Sequence, residues 1–322
     1  MVDNIAATET SAAHVQGLHH SYGDHVALDG IDLNVNAGEI LALLGPNGSG
    51  KTTLFRLLCT LLPIQKGSIH IGGVDSRLNP LAVRGQLGIV FQAPSLDKKL
   101  TVDENIACQA ALYGIRGEEL NQRRDQVLQQ LDLVDRRGDF CESLSGGLKR
   151  RVELAKGMLH RPRVMLLDEP STGLDPAARL SFWDAIRSMA DSGVAVLMTT
   201  HLLEEADKAD RVAIMSAGKK IAEGSPHQLR SEMGDGVVTV IAQDASAVES
   251  ILISDLGLQP QRIDLQFRLQ SDSPGELVAL LAKKLGDHAQ SISIGRPSLE
   301  DVFVAKTGCK FDFRSATAET RA

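Results

Sequence analysis

Little in this sequence points to nucleic acid, to a membrane span or to an oxidising environment. Lysine and arginine (34) are outnumbered by aspartate and glutamate (41), which leaves a formal net charge of −7. Nonspecific nucleic-acid binding needs a basic face, so no nucleic-acid partner is expected. The four cysteines (Cys59, Cys108, Cys141, Cys309) are scattered and form no CxxC pair. Neither a disulfide framework nor a zinc site is predicted, and a reducing cytoplasm is the default expectation. Long apolar runs are missing. The best stretches, EILALLGP, RVMLLDEP and GVAVLMTTHLL, fall well short of the roughly 18 residues a spanning helix needs. The N-terminal MVDNIAATETSAAH has no basic region followed by an apolar run, so it is not read as a signal peptide. A soluble chain is expected, reaching a membrane only through a partner. Aromatics are also sparse, at 3% of residues, which makes each exposed ring informative.

What remains is ordinary soluble composition, 43% apolar and 23% charged over 322 residues, with room for two domains. Residues 1–13 are small and polar and read as a flexible terminus. Short alternating runs from HVQGLHH to residue 39 predict antiparallel strands. EILALLG is a continuous apolar run ending in glycine, which predicts a buried parallel strand followed by a helix. GSIHIGGVD reads as another antiparallel pair and LGIVFQ as a further core strand. Residues 101–160 read as mostly helical, opening on a Thr101 cap with Glu104 three positions on, and are expected to project from the sheet as an insertion. Strands RVMLLDEP, GVAVLMTTH and DRVAIMSAGKKIAEG then alternate with helices PAARLSFWDAIRSMA and LLEEADKA. Such alternation predicts an α/β fold with a mainly parallel sheet and helices on both faces. The pattern restarts near residue 230 as strand, helix, strand, helix, strand. The expected domains are therefore 14–230, with a helical part at about 101–160, and a small α/β accessory unit at 231–308, before a flexible tail at 309–322.

The chemistry concentrates at strand ends. GPNGSGKT (residues 45–52) matches GxxxxGK[ST] in full, after a buried strand and before a helix. Its glycines let backbone N–H groups close around phosphate oxygens, Lys51 is placed for the β/γ-phosphates, and Thr52 offers a hydroxyl to Mg²⁺. VMLLDEP puts Asp168 and Glu169 straight after another strand. Asp168 suits the magnesium side and Glu169 the activation of water, although the pair would also serve to cap the next helix. Gln92 and His201 follow two more strands, where open α/β sheets gather their ligands. Tyr22 offers a ring for base stacking, or is an ordinary packed tyrosine. A second glycine pair opens another helix in LSGGLKRRVELAKG (144–157). Ser145 and the helix start can hold a phosphate, yet the first set already fills one side of a nucleotide. A site shared with another copy of the chain would explain the duplication, and so would simple packing.

With these residues assembled, the chain resembles the ATP-binding subunits of ABC transporters over roughly residues 14–228, with every motif in family order. The resemblance assigns Gly45, Pro46, Asn47, Gly48, Ser49, Gly50, Lys51, Thr52 and Thr53 to the P-loop. It makes Gln92 a Q-loop glutamine that also faces the metal, alongside Thr52 and Asp168. Ser145, Gly146 and Gly147 become the signature, Glu169 the catalytic base, Asp175 of STGLDP the D-loop residue, His201 the switch histidine, and Tyr22 the adenine-stacking aromatic. It implies ATP and Mg²⁺, a P-loop fold with an antiparallel β subdomain, and head-to-tail pairing with a second copy or a sister subunit. Leu148 departs from the glutamine the family more often carries there. The end of the chain, GRPSLEDVFVAKTG (295–308), resembles drug-resistance and lipo-oligosaccharide exporter ATPases. That implies an ABC-2 type membrane permease as partner, on the cytoplasmic face of the cell membrane. PSLEDVF itself reads as a helix cap used for packing. The alternatives are a non-transport ABC ATPase in translation or repair and a small-molecule P-loop kinase. The first usually needs a second cassette or a coiled coil, and the second leaves LSGG and His201 without a purpose.

Overall fold

The computed structural model describes residues 11–309 and 311. Most of the flexible ends expected at 1–13 and 309–322 lies outside the described residues, and the part inside departs from expectation. Ser11–Ala13 already belong to the first strand, where Ala13 pairs with Val35 on one side and Ile71 on the other. Phe311 is buried with its ring 4.8 Å from that of Phe303.

The chain opens with β1 (Ser11–Tyr22) and β2 (His25–Asn36), then β3 (Ile40–Leu44) and α1 (Lys51–Leu58). β4 (Lys66–Ile71), β5 (Val74–Asp75), the short helix α2 (Pro80–Arg84) and β6 (Leu87–Val90) follow. The helical part holds α3 (Val102–Leu112), α4 (Gly117–Gln130) and α5 (Gly146–Met158). Thr101 and Glu104 close the expected capping box at the start of α3, the Thr101 N–H donating to Glu104 Oε2 at 2.8 Å. Next come β7 (Val164–Asp168), α6 (Pro176–Asp191), β8 (Ala195–Thr200), α7 (Leu203–Ala206), β9 (Arg211–Ser216), β10 (Lys219–Gly224) and α8 (Pro226–Ser231).

Six strands form the central sheet in the order β10-β9-β3-β8-β7-β6. β3, β6, β7, β8 and β9 are parallel, and only β10 runs against its neighbour. The segment DRVAIMSAGKKIAEG, expected as one strand, is therefore a hairpin. Ala217 and Gly218, both at positive φ, make its turn. β2, β1, β4 and β5 form a separate antiparallel sheet.

The apolar runs follow from burial on both faces of the sheet. Ile40, Ala42 and Leu44 pack into one core cluster, while Leu41 and Leu43 pack into the other. The first cluster takes in α5 and α6. It also includes Val102, Ile106 and Leu128, so the helical part shares the core of the sheet rather than building its own. The second cluster holds α1 together with Val15, Leu18 and Ile31 of the antiparallel sheet. That face is therefore covered by α1, Val83 of α2 and a β layer, not by helices alone.

The C-terminal unit contains β11 (Gly236–Ala242), α9 (Ala245–Ser250), β12 (Gln261–Ile263), β13 (Gln266–Ser271), α10 (Pro274–Leu285) and β14 (Ala289–Gly295). Its antiparallel sheet, ordered β12-β13-β11-β14, has a cluster of its own around Val238, Val240 and Phe267. The expected strand RIDLQFRLQ is the hairpin β12–β13. The last helix, α11 (Leu299–Thr307), is expected from sequence to belong to this unit, but Leu299, Val302 and Phe303 bury in the first cluster, on the central sheet. Ser298 caps α11 with Asp301, and Arg268 of β13 donates to Asp301 Oδ1 at 3.0 Å and Glu300 Oε1 at 3.1 Å. α11 is thus the bolt between the two parts. Among the described residues, no helix is long and apolar enough to cross a membrane.

Candidate functional site

Parallel pairing brings the expected residues to one end of the sheet. Leu44 at the end of β3 lies opposite Thr200, and Asp168 at the end of β7 lies opposite Thr199. The loop 45–50 leaves β3 there, Asp168–Glu169 leaves β7, and His201 leaves β8, while Gln92 follows the edge strand β6.

The loop from Gly45 leads straight into α1. Gly50 caps the helix at φ 102°, in the left-handed region, and no side chain caps its N-terminus. A Cβ at Gly50 would sit 2.7 Å from the Ala27 carbonyl, so both backbone sign and space demand glycine. The uncapped helix start leaves N–H donors and the positive end of the dipole facing the loop. Lys51 is buried and donates to the Gly45 carbonyl at 2.6 Å and the Pro46 carbonyl at 3.0 Å. Burial pushes its ammonium pKa down, opposed by the charges of Glu169 and Asp168. The Ser49 hydroxyl is buried without a partner. Tyr22, His25 and Ala27 join Asn47, Gly48 and Gly50–Thr53 around a cleft of about 260 Å³. Tyr22 is 44% exposed and held edge-on by His20. An orphan hydroxyl, a buried ammonium and an uncapped helix start fit a phosphate chain, and the exposed ring fits a base.

Glu169 sits at φ 42°, which is uncommon for a side chain of its size and costs about 1–3 kcal/mol. Its N–H is held by the Thr199 carbonyl at 3.2 Å and the Thr199 hydroxyl at 3.0 Å. The Thr199 hydroxyl in turn donates to Asp168 Oδ1 at 2.6 Å. Gln92 Nε2 donates to Glu169 Oε2 at 3.3 Å, and His201 Nδ1 lies 3.2 Å from Oε1. One carboxylate thus meets an amide on one oxygen and an imidazole on the other. The His201 contact has ion-pair distance but not hydrogen-bond geometry. Among the described residues no group of three or more His, Cys, Asp or Glu is arranged to hold a metal ion by itself. The Thr52 hydroxyl, the Gln92 amide oxygen and the Asp168 carboxylate are oxygen donors of the kind Mg²⁺ takes beside phosphate oxygens.

The two adjacent acids are pushed apart in acidity. Burial raises Asp168, with Thr199 opposing. Burial would raise Glu169 too, but His201 and the Lys51 charge outweigh it and hold it below the usual carboxylate range. Glu169 raises His201 above 6.5 in return. A raised histidine contributes stability below its unfolded value of 6.5, lost as pH rises through the folded value, while a lowered Glu169 contributes above 4.5, lost as pH falls through its own. The pair is therefore charged on both sides in the window between them. A ring-proton NMR titration should place His201 above 6.5, returning towards it in Glu169→Gln. An identical midpoint in both chains would remove Glu169 as the cause.

Ser145, Gly146, Gly147 and Asp175 lie elsewhere. Ser145 caps α5 through the Leu148 N–H at 3.3 Å, and Asp175 caps α6 through the Ala178 N–H at 2.9 Å. The two helix starts touch. A Cβ at Gly147 would lie 2.8 Å from that of Ala178, so Gly147 is required by close packing. Gly146 has no such need, since a Cβ there meets only Leu174 at an ordinary 3.5 Å. Ser145, Gly146 and Asp175 are exposed on this shared surface, and Leu148 packs partly buried against the core.

Sequence reasoning missed the supporting residues. Thr199 positions both acids. Glu205, buried behind His201, accepts from Thr200 at 2.6 Å and from Ser171 of the D-loop stretch, and burial raises its pKa. The paired threonines of MTTH at a strand end were the available signal for Thr199. Nothing local marked Glu205.

The family described as ABC transporter matches residues 28–172. A daunorubicin resistance ATP-binding protein of Streptomyces coeruleorubidus is 37% identical over 305 residues, 92% of this chain and 96% of that protein. The Nod factor export ATP-binding protein I of Ralstonia nicotianae is 34% identical over 299 residues, 91% and 93% of the two chains. The structure of cbiO1 from Clostridium perfringens, part of an ABC transporter complex, superposes with a TM-score of 0.65 at 30% identity, over 69% of this chain and 92% of that one.

Proposed function

The chain belongs to the ABC transporter ATP-binding family, and on that premise we propose that it works in pairs as the ATPase of an exporter. It binds and hydrolyses ATP to power transport. The observation that carries the paired reading is the division of the site. Lys51, Glu169, His201 and Gln92 gather at one end of the sheet, while Ser145 and Gly146 stand exposed on another surface with no packing need at Gly146.

In this reading Tyr22 stacks on the adenine and residues 45–53 hold the phosphates. Glu169, ionised at neutral pH, takes a proton from the water that attacks the γ-phosphorus as the bond to the leaving ADP oxygen breaks. His201 and Gln92 fix the two oxygens of that carboxylate. Thr52, Gln92 and Asp168 would hold Mg²⁺, which would supply charge neutralisation on the phosphate oxygens. The partner's Ser145–Gly147 helix start offers N–H groups to the far side of the γ-phosphate.

The export assignment draws on the names of the relatives above, one in daunorubicin resistance and one in Nod factor export. These align across more than nine-tenths of this chain. An ABC-2 type permease as partner, and a place on the inner face of the cell membrane through it, complete the proposal. Affinity purification of this chain from detergent extracts is expected to bring down a polytopic membrane protein. Recovery with ribosomes or DNA instead would replace the export reading with a translation or repair role.

A further inference from the structure

The helix that begins at the signature also grips the loop that carries Gln92. Arg150, Glu153 and Lys156 stand at i, i+3 and i+6 on α5. Arg150 Nη1 donates to the Phe91 carbonyl and Nη2 to the Gln92 carbonyl, each at 2.6 Å. Nη1 also donates to Glu153 Oε2 at 2.7 Å, and Glu153 Oε1 accepts from the Ser95 N–H. Lys156 Nζ donates to the Ser95 carbonyl at 2.8 Å. Arg150 is 5% and Glu153 3% exposed, whereas Phe91–Ser95 are exposed throughout. A buried ion pair repays its desolvation only when its remaining hydrogen-bonding capacity is used. Here that capacity is used on the backbone of an irregular loop, whose position α5 therefore sets.

We infer that Arg150, held by Glu153, is a positioning residue that ties Gln92 in one protomer to the signature which that protomer presents to its partner's nucleotide. The inference rests on the paired reading above. Gln92 Nε2 touches Glu169 at 3.3 Å, and Gly146–Gly147 form the first turn of α5. A displacement of Gln92 passes to the Phe91–Gln92 backbone, through the planar guanidinium fork, and into the helix whose start is the signature. Lysine offers a point charge in place of that fork, so it cannot hold both carbonyls and Glu153 in one geometry.

The test uses the full-length chain. Arg150→Ala should lower ATP turnover about 5- to 150-fold, the usual range of a coupling effect, and bring the Hill coefficient of hydrolysis towards one. Binding of a fluorescent ATP analogue to the dilute chain should be unchanged, because residues 45–53 are untouched. Arg150→Lys should restore thermal stability but only part of the turnover. Glu153→Gln, which keeps the shape and removes the counter-charge, should lower turnover in the same direction. Wild-type turnover and Hill coefficient in both soluble conservative variants would overturn the inference. An equal loss of ATP affinity and turnover would overturn it as well, since that marks a fold defect. Sedimentation separates it from the paired reading. If Glu169→Gln with ATP stays monomeric, the paired reading fails. If that chain dimerises, and dimerises equally well with Arg150→Ala added, only the coupling role fails.

Discussion

Glu169→Gln binds ATP as the parent does and turns it over about 10²–10⁴-fold more slowly, the usual contribution of a general base. The substitution keeps the side-chain shape, and glutamine tolerates the left-handed backbone at this position (φ 42°) no worse than glutamate. Its amide can still accept from Gln92, so the geometry at Oε2 persists. What disappears is the carboxylate that takes the proton. Binding survives because the phosphate donors belong to the loop and helix start at 45–53. Removing one negative charge near Lys51 also favours a polyanionic ligand. Steady-state phosphate release and equilibrium nucleotide binding decide the matter. Wild-type turnover would take Glu169 out of its role, and a parallel loss of binding would make it structural.

A mixture of two dead chains regains activity if the site is shared. Lys51→Ala removes the buried ammonium of the loop, and Gly146→Asp places a carboxylate where the partner's γ-phosphate would lie. Each chain paired with itself has two broken sites. A mixed pair has one site broken twice and one intact. With random symmetric pairing, an equimolar mixture recovers at most about a quarter of wild-type turnover, and less where the two sites cooperate. Gly146 is the right position because a side chain there meets only Leu174 at 3.5 Å. At Gly147 it would strike Ala178 at 2.8 Å and confuse a folding defect with a lost anion site. No recovery in the mixture, or full activity of Gly146→Asp alone, would count against the shared site.

Much of the fold was legible because apolar runs and glycine punctuation are local. EILALLG had to be a buried strand, since an apolar run that short and unbroken has water on neither face, and its residues pack into both core clusters. The hairpins at 211–224 and 261–271 were not legible. The turns are tight, with Ala217 and Gly218 at positive φ in the first and Asp264 in the second, inside runs of otherwise strand-like residues. A single glycine or aspartate is too weak a signal to divide such a run. The placement of α11 was hidden for another reason. Its apolar residues carry no mark of which core they join, and proximity in the chain favoured the C-terminal unit over the cluster where they bury.

By itself the sequence determined the chemistry that is contiguous along the chain: the loop and helix start of GPNGSGKT, the acid pair of DEP, and the glycines of LSGG. The donors in each motif are brought together by a few consecutive backbone angles. Only the tertiary structure decided what meets across the sheet. It joined Glu169 to His201, Gln92 and Thr199, and set Arg150 on the backbone of Phe91 and Gln92. Those contacts depend on strand order and register, which pair residues tens of positions apart and leave no periodicity in the chain.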